Sequence, residues 1–240
     1  MKKILFLALV DTLTPCLFAQ EDHSSAATKR YRAFRHEAST PSYSTAKVKA
    51  LIKTIKVDKD DGRTLSLKQF NALSTQEKFT FVMLHGEDFA QNCDEMPAII
   101  DEEKKIFAYT PGAFDDEATW SDKQLAFLKN NRTKVIELLR ATIKAQQRVG
   151  VNLKQAIMEI KANELVPDLI ATYNRDHKDH DILTTLMLLM KEDGYMPFFD
   201  SKIYEDLYGD DDNYQTFMMA TPANQKAILG FAASFSKSLR

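Results

Sequence analysis

The sequence predicts an all-α fold of stacked antiparallel helices, and three observations carry that prediction. From residue 45 onward apolar residues recur at helical spacing, as in Val48, Leu51, Ile52 and Ile55, which puts them on one helix face. Helix-start signals recur too. Ser74 with Glu77 and Ser121 with Gln124 read as capping boxes, and Thr221-Pro222 reads as an N-cap followed by proline at the first helical position. Third, the 240 residues include only 7 glycines, against the roughly 17 of an average chain of that length. So few glycines exclude a Gly-rich phosphate loop and a tightly turned all-β fold. A hydrophobic fraction of 44% excludes wholesale disorder, and a net charge of −2 makes no general case for nucleic acid.

Residues 1–19 have the layout of a secretory signal peptide. Lys2 and Lys3 precede the apolar run Ile4 to Val10, and Leu17-Phe18-Ala19 offers a small residue before Gln20. The run is too short to span a bilayer, which takes about 20 residues, and no other apolar stretch reaches that length. The reading is therefore an exported chain, periplasmic or secreted, cut near Ala19-Gln20, with no transmembrane span. Cys16 offers an alternative, lipid anchoring in the cell envelope, although Pro15 stands where acylation wants a small residue. Cleavage after Ala19 removes Cys16 and leaves Cys93 alone, so the mature chain has no internal disulfide.

Residues 20–44 lack apolar periodicity and read as a flexible basic linker. Lys29, Arg30, Arg32 and Arg35 belong to this basic stretch. A single helical domain is expected over 45–240. Phe79 to His85 fits helix or strand by periodicity, and the Ser74 capping box decides for helix. Residues 87–122 are acidic and broken by Pro97, Pro111 and Gly112. A long helical pattern then runs from Asp122 towards Gly150, with Asn130-Asn131 a candidate break. Asn152 with Gln155 reads as the cap of the next helix. Gly62, Gly86, Gly150, Gly194 and Gly209 fall at expected helix ends or turns. Gly230 alone lies inside a predicted helix, where close packing against a neighbour is the expected reason.

Leu165-Val166-Pro167, the charged turn Arg175 to Asp181 and the apolar helix from Ile182 to Met190 follow one another within 163–194. That stretch resembles one HEAT-type helix pair. The resemblance implies stacked helices of the kind found in binding scaffolds, and no second copy stands at the expected spacing of about 40 residues.

Four places invite a reading as chemistry. His177 and His180 share a helix face, with Asp176 and Asp179 beside them, a donor set suited to a divalent metal. Asp58 to Gly62 looks like the start of a calcium loop, but the register puts Lys59 and Lys68 where oxygen ligands belong. Asp210-Asp211-Asp212 is a second acidic run, better read as a loop than a calcium site. Cys93 with His85 as base would need a thiolate, which Asp94 and Glu95 disfavour. Walker, G-x-G-x-x-G, G-x-S-x-G and C-x-x-C motifs are absent. The leading expectation is an exported, non-enzymatic helical protein that binds a protein or envelope component and needs no cofactor. Its acidic middle and its Met- and aromatic-rich C-terminal part are the expected contact surfaces. The alternative is a metal- or calcium-dependent protein, a hydrolase among the options, built on His177, His180 and the neighbouring aspartates.

Overall fold

A computed structural model describes residues 24–56, 63–89, 99–114, 118–209, 213 and 215–239. The fold is all-α. Twelve helices run in chain order among the described residues. They are α1 (Ala26–His36), α2 (Thr45–Thr54), α3 (Leu67–Asn71), α4 (Thr75–Leu84), α5 (Asp122–Asn130) and α6 (Arg132–Gln146). After them come α7 (Val151–Glu159), α8 (Val166–Asp176), α9 (His180–Glu192), α10 (Met196–Phe199), α11 (Lys202–Tyr208) and α12 (Pro222–Ser238). Four strands of two or three residues add two antiparallel ribbons. β1 (Asp88–Phe89) pairs with β3 (Ala118–Thr119), and β2 (Lys105–Phe107) pairs with β4 (Phe217–Met219). Two or three residues carry no readable period-2 pattern, so periodicity does not announce these strands.

The capping signals work as written. The Ser74–Glu77 box and the Ser121–Gln124 box both close reciprocally, and Thr221 Oγ1 accepts from the Asn224 amide. The long pattern after Ser121 breaks at Asn131, which separates α5 from α6. The ambiguity over Phe79 to Met83 has a physical cause. Phe79, Thr80, Phe81, Val82 and Met83 are all buried, and a helix buried all round shows no amphipathic period.

The core centres on α9, which packs against α12, α8, α7, α10 and β2. Ile182, Leu183, Leu186, Met187, Leu189 and Met190 are buried along it, each worth about 1.5–3 kcal/mol in apolar burial. Its polar residues are satisfied internally. Thr184 Oγ1 donates to the Phe107 carbonyl at 2.7 Å, and Thr185 Oγ1 donates to the Asp181 carbonyl at 2.7 Å. The segment resembling a HEAT pair holds α8 and α9, joined by residues 177–179 and packed on each other.

Three expectations change. Residues 26–36 of the expected linker form α1, capped by the Ser25 side chain and packed on the body through the buried Arg35. Ala26, Ala27 and the Arg and Lys residues are good helix formers, and the packing they take part in is polar, which hides it from an apolar count. Asn152 does not cap α7; Gly150 is the N-cap, and the Asn152 amide bridges separate elements. At Gly230 a β-carbon would meet nothing within 4 Å, so no neighbour requires a glycine there.

Candidate functional site

One concavity among the described residues is an open cleft of about 810 Å³. The end of α1 (His36, Glu37, Ala38), Arg63, the end of α4 (Met83, Leu84, His85), Gly86 to Phe89 and Phe114 line it. Its walls come from distant parts of the chain, and one buried side chain ties them. Asn152 Nδ2 donates to the Ser39 and Met83 carbonyls, both at 2.8 Å, while Asn152 Oδ1 accepts from the Ser39 amide at 2.8 Å. The Val151 amide donates to the Glu37 carbonyl at 3.2 Å, and the Gly150 amide to Ser39 Oγ at 3.0 Å. Glycine is required at 150 for this approach, because a β-carbon there would stand 2.2 Å from the Ser39 nitrogen.

The opposite wall is held by Gln124 and Glu87. Gln124 Nε2 donates to the His85 carbonyl at 2.7 Å, and Gln124 Oε1 accepts from the Glu87 amide at 3.2 Å. The Glu87 carboxylate is buried and accepts from the Leu65 amide, Ser121 Oγ and Lys123 Nζ, each at 2.7 Å. His85 Nε2 lies 2.5 Å from the Arg63 carbonyl, so this nitrogen donates. Gly86 lets this wall close on the β1–β3 ribbon, since a β-carbon would stand 2.7 Å from the Thr119 carbonyl oxygen and 2.8 Å from the Phe114 ring. The cleft therefore combines apolar faces, Met83, Phe89 and Phe114, with His36, Arg63, His85 and the carboxylates Glu37 and Asp88.

A buried charge network sets α1 in place and so builds the first wall. Arg35 Nε and Nη2 reach Asp181 at 3.0 and 2.9 Å, and Arg35 Nη1 reaches Glu102 at 3.1 Å. Its guanidinium also lies 4.0 Å from the Phe107 ring centroid. Arg32 Nε donates to the same Glu102 at 2.5 Å, and Thr28 Oγ1 donates to Glu103 at 2.9 Å. Burial alone would lower the Arg35 pKa, but the Asp181 and Glu102 carboxylates hold it above its ordinary value. Tyr31 accepts from the His180 amide at 3.1 Å. Burial, reinforced by the Asp181 and Asp179 charges, pushes the Tyr31 phenol above its ordinary value.

The residues proposed as metal ligands are not brought together. His177 ends α8 with φ of 54° and is exposed, its ring edge-on to Tyr173. Asp176 is exposed and accepts from the Lys178 amide at 3.1 Å. Asp179 is buried and pairs with Lys154 Nζ at 2.8 Å. His180 is buried and donates from Nδ1 to the Lys105 carbonyl at 2.9 Å; burial lowers its pKa. Two of the four are thus exposed and two are buried, Asp179 paired with Lys154 through Oδ1 and His180 bonded through Nδ1. Among the described residues no group of three or more His, Cys, Asp or Glu is arranged to hold a metal ion. Cys16, Cys93, Asp58 to Gly62 and Asp210 to Asp212 lie outside the described residues.

Each of the two expected contact surfaces contributes some residues to the interior and leaves others exposed, Asp88 and Asp122 of the acidic middle among them. Glu87 and Glu102 from the acidic middle are buried in ion pairs. Met187, Met190, Phe198 and Phe235 from the C-terminal part are core residues, leaving Met196, Phe217 and Met219 exposed. Local spacing pairs neither Arg35 with Asp181 nor Ser39 with Asn152, because each pair joins elements more than a hundred residues apart. Comparison of the chain with known protein families, with curated proteins and with solved structures finds no match in any of the three.

Proposed function

We propose that this chain is an exported, non-enzymatic binding protein and that the cleft between the end of α1 and the β1–β3 ribbon receives a short segment of a partner protein. The observation that carries the reading is the mixed lining of that cleft, with Phe89 and Phe114 beside Arg63, Asp88 and two histidines. An apolar side chain flanked by charge on a peptide would find a matching surface on each wall. Phe89 is 50% exposed, the kind of solvent-facing aromatic that anchors interfaces.

Export is supported by Lys2, Lys3, the Ile4 to Val10 run and Ala19. A cut after Ala19 leaves Ser24, the first described residue, and all of α1 in the mature protein. No helix among the described residues is long and apolar enough to cross a membrane.

A displayed library of short peptides, screened against the purified chain, tests the binding reading. Selected peptides should lose at least about tenfold in affinity against both Arg63→Glu and Phe114→Ala, an energy of about 1.4 kcal/mol each. Selected peptides indifferent to both substitutions, or no peptide above background, would overturn it. Intact mass of the protein recovered from its native host tests export. It distinguishes Gln20 as the N-terminus from an acylated Cys16, and an uncut Met1 chain refutes both.

A further inference from the structure

The β2–β4 ribbon has one closed edge and one open edge. The Ala220 amide donates to the Lys104 carbonyl at 2.7 Å, and the Ala108 amide donates to the Thr216 carbonyl at 2.9 Å. Lys105 stands opposite Met219 and Phe107 opposite Phe217, so the backbone groups of these four residues point away from the ladder. On the β2 side α9 takes them up. His180 Nδ1 donates to the Lys105 carbonyl at 2.9 Å, and Thr184 Oγ1 donates to the Phe107 carbonyl at 2.7 Å. On the β4 side the Met219 carbonyl accepts from the Thr221 amide and from Asn224 Nδ2, both at 2.8 Å. The Phe217 N–H, the Phe217 carbonyl and the Met219 N–H have no hydrogen-bond partner among the described residues. Unpaired edge groups of this kind are a template for an added strand. The side chains beside the edge fit that role. Phe217 is 42% and Met219 47% exposed, and both share a ribbon face with Lys105 and Phe107. Lys105 Nζ lies 3.8 Å from the Phe217 ring centroid, and no carboxylate pairs with it among the described residues.

We infer that the open edge of β4 is a second docking surface, which takes an extended acidic segment of a partner protein as an added strand. None of its residues lines the cleft. The backbone of the segment bonds to Phe217 and Met219, an apolar side chain packs on theirs, and a carboxylate meets Lys105 Nζ. Main-chain bonds of this kind supply affinity, and the side chains beside the edge supply specificity. Charge selects the occupant. The Lys105 ammonium has an aromatic ring beneath it and no anion, and a carboxylate there forms a charge-assisted bond about twice as strong as a neutral one. Two copies of this chain joined edge to edge about a twofold axis would instead bring two Lys105 ammoniums to one face.

Selection of displayed peptides against the full chain carrying Arg63→Glu and Phe114→Ala, which disable the cleft, tests the edge separately from the cleft. The expected peptides carry Asp or Glu beside apolar residues. Two further substitutions are made in that background. Met219→Pro removes one outward amide and leaves the β2 ladder intact, and Lys105→Met keeps the stem and removes the charge. Each is expected to weaken the selected peptides at least about tenfold. Circular dichroism checks that both variants fold, and if Met219→Pro does not, Lys105→Met decides alone. No peptide above background, peptides without acidic residues, or peptides indifferent to Lys105→Met would overturn the inference. A chain that dimerises in solution and is returned to monomer by Met219→Pro overturns it too, since a second copy then holds the edge.

Discussion

The Arg35 guanidinium and the Asp181 carboxylate, 146 positions apart, meet in a two-point pair at 3.0 and 2.9 Å, and both side chains are buried. Glu102 closes the other side of the same guanidinium at 3.1 Å. This three-residue contact fastens the N-terminal helix to α9 and to the turn before β2. It also positions His36 and Glu37 at the cleft.

Arg35→Met should destabilise the protein by about 3–5 kcal/mol, because Asp181 and Glu102 are left as buried charges without their partner. Arg35→Lys should recover only part of the loss, since an ammonium lacks the planar fork that spans both carboxylates. Urea denaturation of the three proteins checks the order.

Lys154 and Asp179 are both buried and pair at 2.8 Å. Lys154→Met alone should cost about 3–5 kcal/mol by stranding Asp179, whereas the double variant Lys154→Met/Asp179→Leu should return to within about 1–2 kcal/mol of the parent. A double-mutant cycle in denaturant reads the difference. A double variant as weak as the single one would show that the pair is more than mutual compensation.

His180 predicts an acid-sensitive stability. Burial lowers its folded pKa below the ordinary 6.5. Between the two values the unfolded chain binds more protons, so the contribution is present above about pH 6.5 and is lost as pH falls through the folded value. Asp179 acts with the opposite sign, since burial raises its carboxyl and the folded state favours its acid form. Comparing His180→Asn with the parent isolates the histidine. The parent should lose more Tm than the variant between about pH 8 and about pH 5.5.

Two glycines should respond oppositely to alanine. Gly230→Ala places its methyl in open space within α12 and should stabilise by about 0.5–1 kcal/mol. Gly150→Ala drives a β-carbon to 2.2 Å from the Ser39 nitrogen. It should cost on the order of 1–3 kcal/mol and weaken any ligand of the cleft. Thermal denaturation compares them.

Local chemistry determined most of the helices. The capping boxes at Ser74 and Ser121, the Thr221-Pro222 start and the Asn131 break depend on residues three or four apart, and so does the i, i+4 spacing of Val48 and Ile52. A sequence exposes interactions of that range directly. Tertiary structure decided the rest. The charged residues of α1 read as a solvated tail until Asp181 and Glu102 are seen to bury Arg35. Asn152 reads as a cap until Ser39 and Met83 are seen to share its amide. His180 reads as part of a charged turn until it is seen buried, with Nδ1 donating to the Lys105 carbonyl. The cleft and the network under α1 are made by pairs such as Arg35 with Asp181 and Ser39 with Asn152, 146 and 113 positions apart. The energies of such pairs depend on burial, which arises only once the chain has packed.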